Sequence, residues 1–207
     1  SGPIYKAIAA EQPDMALFIG DNSYFIVADG SDRHFSTTGP TGDWSSPEAM
    51  TARHLTTRMH PDLQSMFRSV PSYAVWDDHD YGPNNSDGTA AGKENSLVGW
   101  NQIWGNPASG TAATPGAFFK FSWGEVDFFM VDGRYHRSPD NAPDDDKKRM
   151  LGDAQFAWLL EGLKNSKARF KVIASGSTLH HSTVDGWRIY TFSRHRLFDA
   201  LKEHGIT

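Results

Sequence analysis

Two short apolar segments of this chain each run directly into carboxylate side chains, and this pattern constrains the fold more than any other feature. Residues 15–19 (Met-Ala-Leu-Phe-Ile) are followed by Gly-Asp, which ends at Asp21. Residues 72–75 (Ser-Tyr-Ala-Val) are followed by Trp and then by Asp-Asp-His-Asp at positions 77–80. Short apolar runs of this kind are typical of buried strands. Because open α/β sheets bind ligands beyond the carboxyl ends of their strands, we predict a metal site there.

The rest of the chain alternates predicted helices with predicted strands. Helical patterns and capping residues predict helices over 3–11, 47–58, 63–67, 94–104 and 192–203, and another that begins at 152 or 153. Further strands are predicted over 118–123, 126–131 and 170–174. Because only Gly124-Glu125 separates the first two of these, we expect them to form an antiparallel hairpin. The fold class is therefore α/β, with residues 1–207 forming one domain.

Composition excludes several classes of protein. The 207 residues are 38% apolar, which is enough for one folded core, and the net charge of −5 with no run of Lys or Arg argues against nucleic-acid-specific binding. The chain has no Cys, so disulfides and thiolate metal ligands are excluded. No apolar run reaches the length of a transmembrane segment, and no export signal begins the chain. Nothing in the sequence specifies an oligomeric state.

Asp21 and Tyr24 are the first candidate metal ligands. A carboxylate just past a buried strand can bridge two cations with its two oxygens, which suits a site with two metals. The phenolate of Tyr24 is a hard ligand that suits ferric iron. The alternative for Asp21 is structural, since Asp-Asn is also a common way to begin a turn.

The segment Asp77–Asp80 is a more specific signal. Three carboxylates close to one histidine repel each other, so the group is stable if a cation neutralises it or if some members face solvent. We predict Asp78 as a metal ligand, and His79 as the residue that protonates a leaving oxygen or contacts a phosphoryl group. Asn84 and Asn85 offer carbonyl oxygens to a hard cation such as calcium. The alternative is an acidic turn exposed to solvent.

Arg134 follows the predicted strand 126–131 in the sequence Asp132-Gly133-Arg134. Its guanidinium group has the geometry to bind phosphate with two parallel hydrogen bonds, so Arg134 is a candidate for contacting substrate. The alternative is that Arg134 neutralises a nearby acidic side chain and has a structural role.

Several blocks of sequence together resemble the alkaline phosphatase D (PhoD-like) family of metallophosphoesterases, in the calcineurin-like phosphoesterase superfamily. The most specific block is Trp-Asp-Asp-His-Asp at 76–80, within 76–87. The others are Gly-Asp-Asn-Ser-Tyr at 20–24, residues 128–137, and Leu-Gly-Asp-Ala-Gln-Phe-Ala-Trp-Leu at 151–159. The resemblance covers nearly the whole chain in the expected order and spacing.

The resemblance implies a four-layer α/β/β/α sandwich and hydrolysis of phosphate monoesters or diesters, with iron and calcium as cofactors. It also implies an extracellular or periplasmic location. By resemblance, Asp21 would bridge the metals, Tyr24 would bind iron, and Asp78 with Asn84 or Asn85 would bind the second metal. His79 would lie near the phosphoryl group.

The chain departs from the family pattern in three places. The family's first motif, expected before the opening helix, and its closing Gly-Asp-x-His motif are not in this sequence, so we interpret the chain as the central portion of the domain, incomplete at both ends. Phe25 stands where some members have an Arg that contacts phosphate, and Arg134 is a conceivable substitute. We predict hydrolysis of small phosphate esters by attack of a metal-activated hydroxide. The alternative is an inactive domain that binds a phosphorylated or carbohydrate ligand.

Overall fold

The structure, a computed structural model, describes residues 2–23, 46–180 and 185–206. Tyr24 and the predicted loop over 29–44 lie outside these residues. The helices are α1 (Gly2–Ala10), α2 (Pro47–Arg58), α3 (Pro61–Ser69), α4 (Asp78–Tyr81), α5 (Lys93–Ile103), α6 (Asp153–Asn165) and α7 (Thr191–Glu203), with a 3₁₀ turn at Trp187–Ile189. The strands are β1 (Ala16–Ile19), β2 (Ser72–Val75), β3 (Phe119–Trp123), β4 (Val126–Val131) and β5 (Phe170–Ser175).

All predicted helices and strands within these ranges are confirmed, most of them to within one or two residues at each end. Helix α2 begins where its cap residues predict, because the Ser46 hydroxyl accepts a hydrogen bond from the Ala49 N–H (3.2 Å) and Pro47 takes the first helical position. Helix α3 begins at Pro61, two residues before the predicted start. Helix α4 and the 3₁₀ turn were not predicted, because a single turn is too short to show a periodic pattern.

The strands form two separate sheets. Strands β1 and β2 pair in parallel, with Ala16 opposite Ser72 and Ile19 opposite Val75. Strands β3, β4 and β5 form the second sheet in that order. The β3–β4 pair is the predicted antiparallel hairpin, and β4 and β5 are parallel.

The two sheets pack face to face through one apolar layer. Val75 of the first sheet packs with Phe119, Met130 and Ala174 of the second, and the rings of Tyr73 and Phe121 stack with their centroids 4.1 Å apart. Successive residues of a strand point to opposite faces of its sheet, so every second residue of each strand is left to face outward.

Helices cover both outward faces. Phe18 and Ala74 of the first sheet pack into a cluster that includes Phe67 of α3, Trp100 of α5 and Trp104, which directly follows α5. The ring centroids of Phe18 and Trp104 lie 5.2 Å apart. On the second sheet, Phe129 packs beneath α6 and α7, against a cluster that includes Leu159 and Leu197. The order of layers is therefore α/β/β/α, as the family resemblance implies. Within the described ranges, no helix combines the length and the apolar composition needed to cross a lipid bilayer.

Candidate active site

The carboxyl ends of strands from both sheets meet at one place. Glycine residues at this place let the backbones of the strands approach each other closely. The Gly20 N–H donates to the Val75 carbonyl (3.0 Å), which extends the β1–β2 pairing by one residue. A Cβ added to Gly20 would lie 2.7 Å from the Cβ of Asp77, and one added to Gly176 would lie 2.4 Å from the Trp76 carbonyl oxygen. Both distances are too short for real atoms, so glycine is required for the ends of β1, β2 and β5 to approach this closely.

Asp21, Asp78 and His79 come together at this meeting point. One candidate ligand atom from each side chain lies within 4.8 Å of the corresponding atoms of the other two. Asp21 is exposed and has a φ of 52°, in the left-handed region that Asp tolerates better than most residues. The His79 Nε2 atom lies 4.0 Å from an Asp78 carboxylate oxygen, and the His79 side chain is 12% exposed. Two of the sequence-predicted metal residues and the predicted catalytic histidine therefore share one site.

Asp78 is buried but carries favourable contacts for its negative charge. Its Oδ2 atom accepts a hydrogen bond from the backbone N–H of Asn85 (2.7 Å), and a terminal guanidinium nitrogen of Arg134 lies 3.7 Å from Oδ1. Burial alone would raise the pKa of Asp78, but Arg134, the Asn85 N–H and His79 together lower it below its usual value. The Asp78 carboxylate is therefore ionised near neutral pH, as a metal ligand must be.

The structure brings Asn85 to the site through its backbone. The Asn85 residue has a φ of 58°, and this turn aims its N–H at Asp78. Asn84 is exposed. A ligand role for the side-chain oxygen of either asparagine stays a prediction.

Arg134 is the centre of a buried ionic network. Its side chain is 0% exposed; Nε donates to Asp77 (2.6 Å), Nη2 donates to Asp185 (2.6 Å), and Nη1 donates to the Ser86 carbonyl (3.2 Å). Although burial opposes the charge, Asp77 and Asp78 outweigh it and raise the pKa of Arg134. These contacts favour the structural alternative for Arg134 over contact with substrate phosphate.

The same network explains a second group of acids. Asp77, Asp78 and Asp185 also have ligand atoms within 4.8 Å of one another, which by distance alone is compatible with a metal ion. The guanidinium group of Arg134 already supplies the positive charge there. The three carboxylates that the sequence places close to His79 therefore lie in different environments. Asp77 pairs with Arg134, Asp78 lies between Arg134 and the group of Asp21 and His79, and Asp80 accepts hydrogen bonds from N–H groups.

The turn that carries Arg134 is fixed by Asp132 and Gln155. The Asp132 carboxylate accepts hydrogen bonds from the N–H groups of Arg134 (2.8 Å), Tyr135 (3.0 Å) and Ala117 (2.9 Å). The Gln155 side chain accepts from the Asp132 N–H and donates to the Asp132 carbonyl, both at 2.8 Å. Gln155 of the 151–159 block thus anchors the end of β4 to α6, a role that sequence reasoning missed.

The model of the family described as PhoD-like phosphatase matches this chain over residues 2–207. The chain belongs to the PhoD-like phosphatase family. It is also similar to a solved structure described as "Structure of PhoD", with a TM-score of 0.76 and 18% sequence identity, over 98% of this chain and 46% of that one. At this identity the likeness shows the fold, and the chain spans less than half the length of that PhoD. A search of curated proteins found no match.

The donor atoms of this PhoD-like chain fit a hard metal ion. Metal dependence is a property of the family, and the Asp21, Asp78 and His79 group offers two carboxylates and an imidazole within 4.8 Å of one another. Carboxylates suit calcium and other hard cations, and a carboxylate–imidazole set also suits iron. The side chains of this site can therefore bind a metal, without specifying which one.

His54 supports the loop that carries Asp21. Its Nδ1 atom lies 3.0 Å from the Ser23 hydroxyl, and both side chains are buried. Burial, with a smaller contribution from the nearby charge of Arg58, lowers the pKa of His54 from 6.5 to about 4. The imidazole is therefore neutral in the folded protein near neutral pH.

We expect the folded protein to lose stability in mild acid through His54. The pKa of His54 is lower in the folded state than its ordinary 6.5, so its contribution is complete above about pH 6.5 and is lost as the pH falls towards about 4. The slope is at most about 1.4 kcal/mol per pH unit. Urea unfolding of the wild type and of His54→Asn between pH 7.5 and 5 would measure it, because only the wild type should show this slope. Parallel curves for the two proteins would contradict the prediction.

Proposed function

We propose that this PhoD-like chain takes part in metal-dependent hydrolysis of small phosphate esters. The observation that carries the proposal is the convergence of Asp21, Asp78 and His79 beyond the carboxyl ends of β1 and β2, where the first sheet meets the end of β5. Crevices beyond strand ends are where open α/β sheets bind ligands. Family membership supports phosphate esters as the substrate class.

Asp21 and Asp78 are the proposed metal ligands, and the family resemblance adds Tyr24 and one of Asn84 or Asn85. Iron and calcium are the proposed ions. When bound, such ions neutralise charge on phosphoryl oxygens and make water a better nucleophile near neutral pH. The position of Asp21 supports a bridging role, because it lies two residues after β1 and has a ligand atom within 4.8 Å of those of Asp78 and His79.

His79 is the proposed proton donor to the leaving oxygen. Its ring lies at the site and is partly open to solvent, so a substrate can reach it. A histidine placed within hydrogen-bond reach of a leaving group contributes about 10²–10⁴-fold to such reactions. Arg134 supports the reaction indirectly, since it holds Asp77 and Asp78 in place from a buried position.

The alternative, a domain that only binds a phosphorylated or carbohydrate ligand, depends on an accessible cleft lined by aromatic side chains. Trp100 is buried in the core, and Trp104 is largely buried, with the Arg58 guanidinium group 4.0 Å from its ring centroid. The position of Trp100 does not support it as the lining of such a cleft, whereas Trp104 lines a cavity of about 320 Å³ that also reaches Asp21. We favour the enzyme because the chain belongs to a phosphatase family and brings Asp21, Asp78 and His79 together. The extracellular or periplasmic location stays a prediction from the family resemblance.

The test is hydrolysis of p-nitrophenyl phosphate and bis(p-nitrophenyl) phosphate by the purified protein before and after removal of metal with a chelator. We expect bound metal by elemental analysis, loss of activity on chelation, and recovery when iron and calcium are restored. Hydrolysis that persists in metal-free protein would contradict metal dependence. A folded protein with neither bound metal nor activity would favour the ligand-binding alternative.

A further inference from the structure

We propose that Asp80 is a positioning residue that sets the distance between Asp21 and Asp78. Asp80 follows the candidate ligands in the 76–80 block, but it belongs to neither of the acidic groups in the described residues that are compatible with a metal ion. The inference rests on the proposed function for its consequence, although the contacts of Asp80 can be tested without metal.

The Asp80 carboxylate joins two loops. Its side chain is fully buried. On the β1 side, Oδ1 accepts from the Ser23 N–H (2.7 Å), and Oδ2 accepts from the backbone N–H and the side-chain amide of Asn22, both at 3.1 Å. On the β2 side, Oδ2 accepts from the N–H of Asp77 (3.2 Å).

Four N–H donors converge on this carboxylate, one on Oδ1 and three on Oδ2. Its oxygens therefore already serve as hydrogen-bond acceptors for both loops. A buried carboxylate with this many donors holds its neighbours in place, because losing one contact leaves a buried N–H without a partner. Asp80 therefore acts on the site through the backbone.

Both ends of this connection carry a candidate ligand. Asn22 directly follows Asp21, whose φ of 52° is a left-handed conformation that persists only if its surroundings impose it. Fixing the N–H groups of Asn22 and Ser23 imposes it. On the other side, the N–H of Asp77 fixes the start of α4, which carries Asp78. The position of one ligand relative to the other is thus set by one carboxylate.

The test is Asp80→Asn, which keeps the shape of the side chain but turns an amide N–H₂ towards one of the donors. We expect amide hydrogen exchange at Asn22 and Ser23 in the metal-free protein to become at least about 10-fold faster, because their N–H groups lose a full acceptor. We expect the affinity for Mn²⁺, measured by calorimetry, to fall by about 10–100-fold, the usual effect of disturbing residues that orient metal ligands.

Asp127→Asn is the matched control. Asp127 is also a buried carboxylate, bonded to Lys120, Ser122 and Ser166, and it lies in the β3–β4 hairpin away from the site. Its replacement should lower stability without changing exchange at Asn22 or the affinity for Mn²⁺. A purely structural role for Asp80 would give the same result as this control. If Asp80→Asn does not fold, Asn22→Ala, which removes one of the four donors, should show smaller changes in the same direction.

The outcomes separate the inference from the proposed function. Unchanged exchange and unchanged Mn²⁺ affinity in a folded Asp80→Asn protein would overturn the positioning role and leave the proposed function intact. A wild-type protein that binds no Mn²⁺, combined with faster exchange in Asp80→Asn, would overturn the proposed function and support the connection between the loops.

Discussion

Replacing Asp21 or Asp78 is expected to abolish metal binding and to reduce phosphate-ester hydrolysis by about a thousandfold, since a catalytic metal supplies several kcal/mol of transition-state stabilisation. The described residues offer the ion three side chains, two of them carboxylates. Removing one carboxylate removes a ligand and half of the negative charge that attracts the ion. The expected loss of activity is therefore a loss of metal, which elemental analysis of each purified variant would show directly.

The choice of variant decides how clearly this result can be interpreted. Asp21→Asn is sharper than Asp21→Ala, because asparagine tolerates the left-handed φ of 52° while it removes the charge. Because Asp21 is exposed, the melting temperature of the Asp21→Asn protein should stay close to that of the wild type. Asp78→Asn tests the buried partner, and Asp127→Asn again serves as the remote control. Turnover retained by both Asp21→Asn and Asp78→Asn would refute the assignment of this site.

Replacing Arg134 with methionine is expected to destabilise the fold by about 3–5 kcal/mol, the usual effect of removing one partner from a buried ion pair. The guanidinium group is 0% exposed and lies between Asp77, Asp78 and Asp185. Without it, the three carboxylates would share a buried space with no resident positive charge. Lysine should restore only part of the stability, because an ammonium group cannot donate along the separate directions of the guanidinium fork.

Urea unfolding measures this effect, and Arg196→Met is its control. Arg196 also pairs with a carboxylate, that of Asp153, but both side chains are exposed, so a loss of about 0–1 kcal/mol is expected. The experiment also decides between the two roles considered for Arg134. If Arg134 contacts substrate phosphate, its replacement should weaken substrate binding without a large loss of stability. If Arg134 is the centre of the buried network, its replacement should cause a large loss of stability.

The parts of the fold that sequence could predict are those with a local signal. Strands β1 and β2 were predictable because each is a short apolar run that ends in acidic residues. The hairpin of β3 and β4 was predictable because one glycine-containing turn separates two apolar segments. Helix α4 was not, because four residues make only one turn.

The same distinction holds for the site. Asp21, Asp78 and His79 directly follow strands, and the carboxyl ends of strands meet at one edge, so their association was predictable. The pairing of Arg134 with Asp185 was not predictable, because Asp185 lies 51 residues away in a polar segment without a pattern. Asp80 lies two residues after the candidate ligand Asp78 and has the same functional group. Only the three-dimensional arrangement shows that its oxygens are already occupied by N–H groups.

The glycine contacts at the strand ends have a consequence for how the site can vary. Gly176 approaches the Trp76 carbonyl so closely that an added Cβ would lie 2.4 Å from it, and Gly20 is similarly confined by Asp77. A side chain at either position would act as a wedge between the two sheets at the place where the ligand-bearing loops leave them. A substitution at either glycine is therefore expected to displace the loops that carry Asp21 and Asp78, so the spacing of the candidate ligands depends on two positions that carry no side chain.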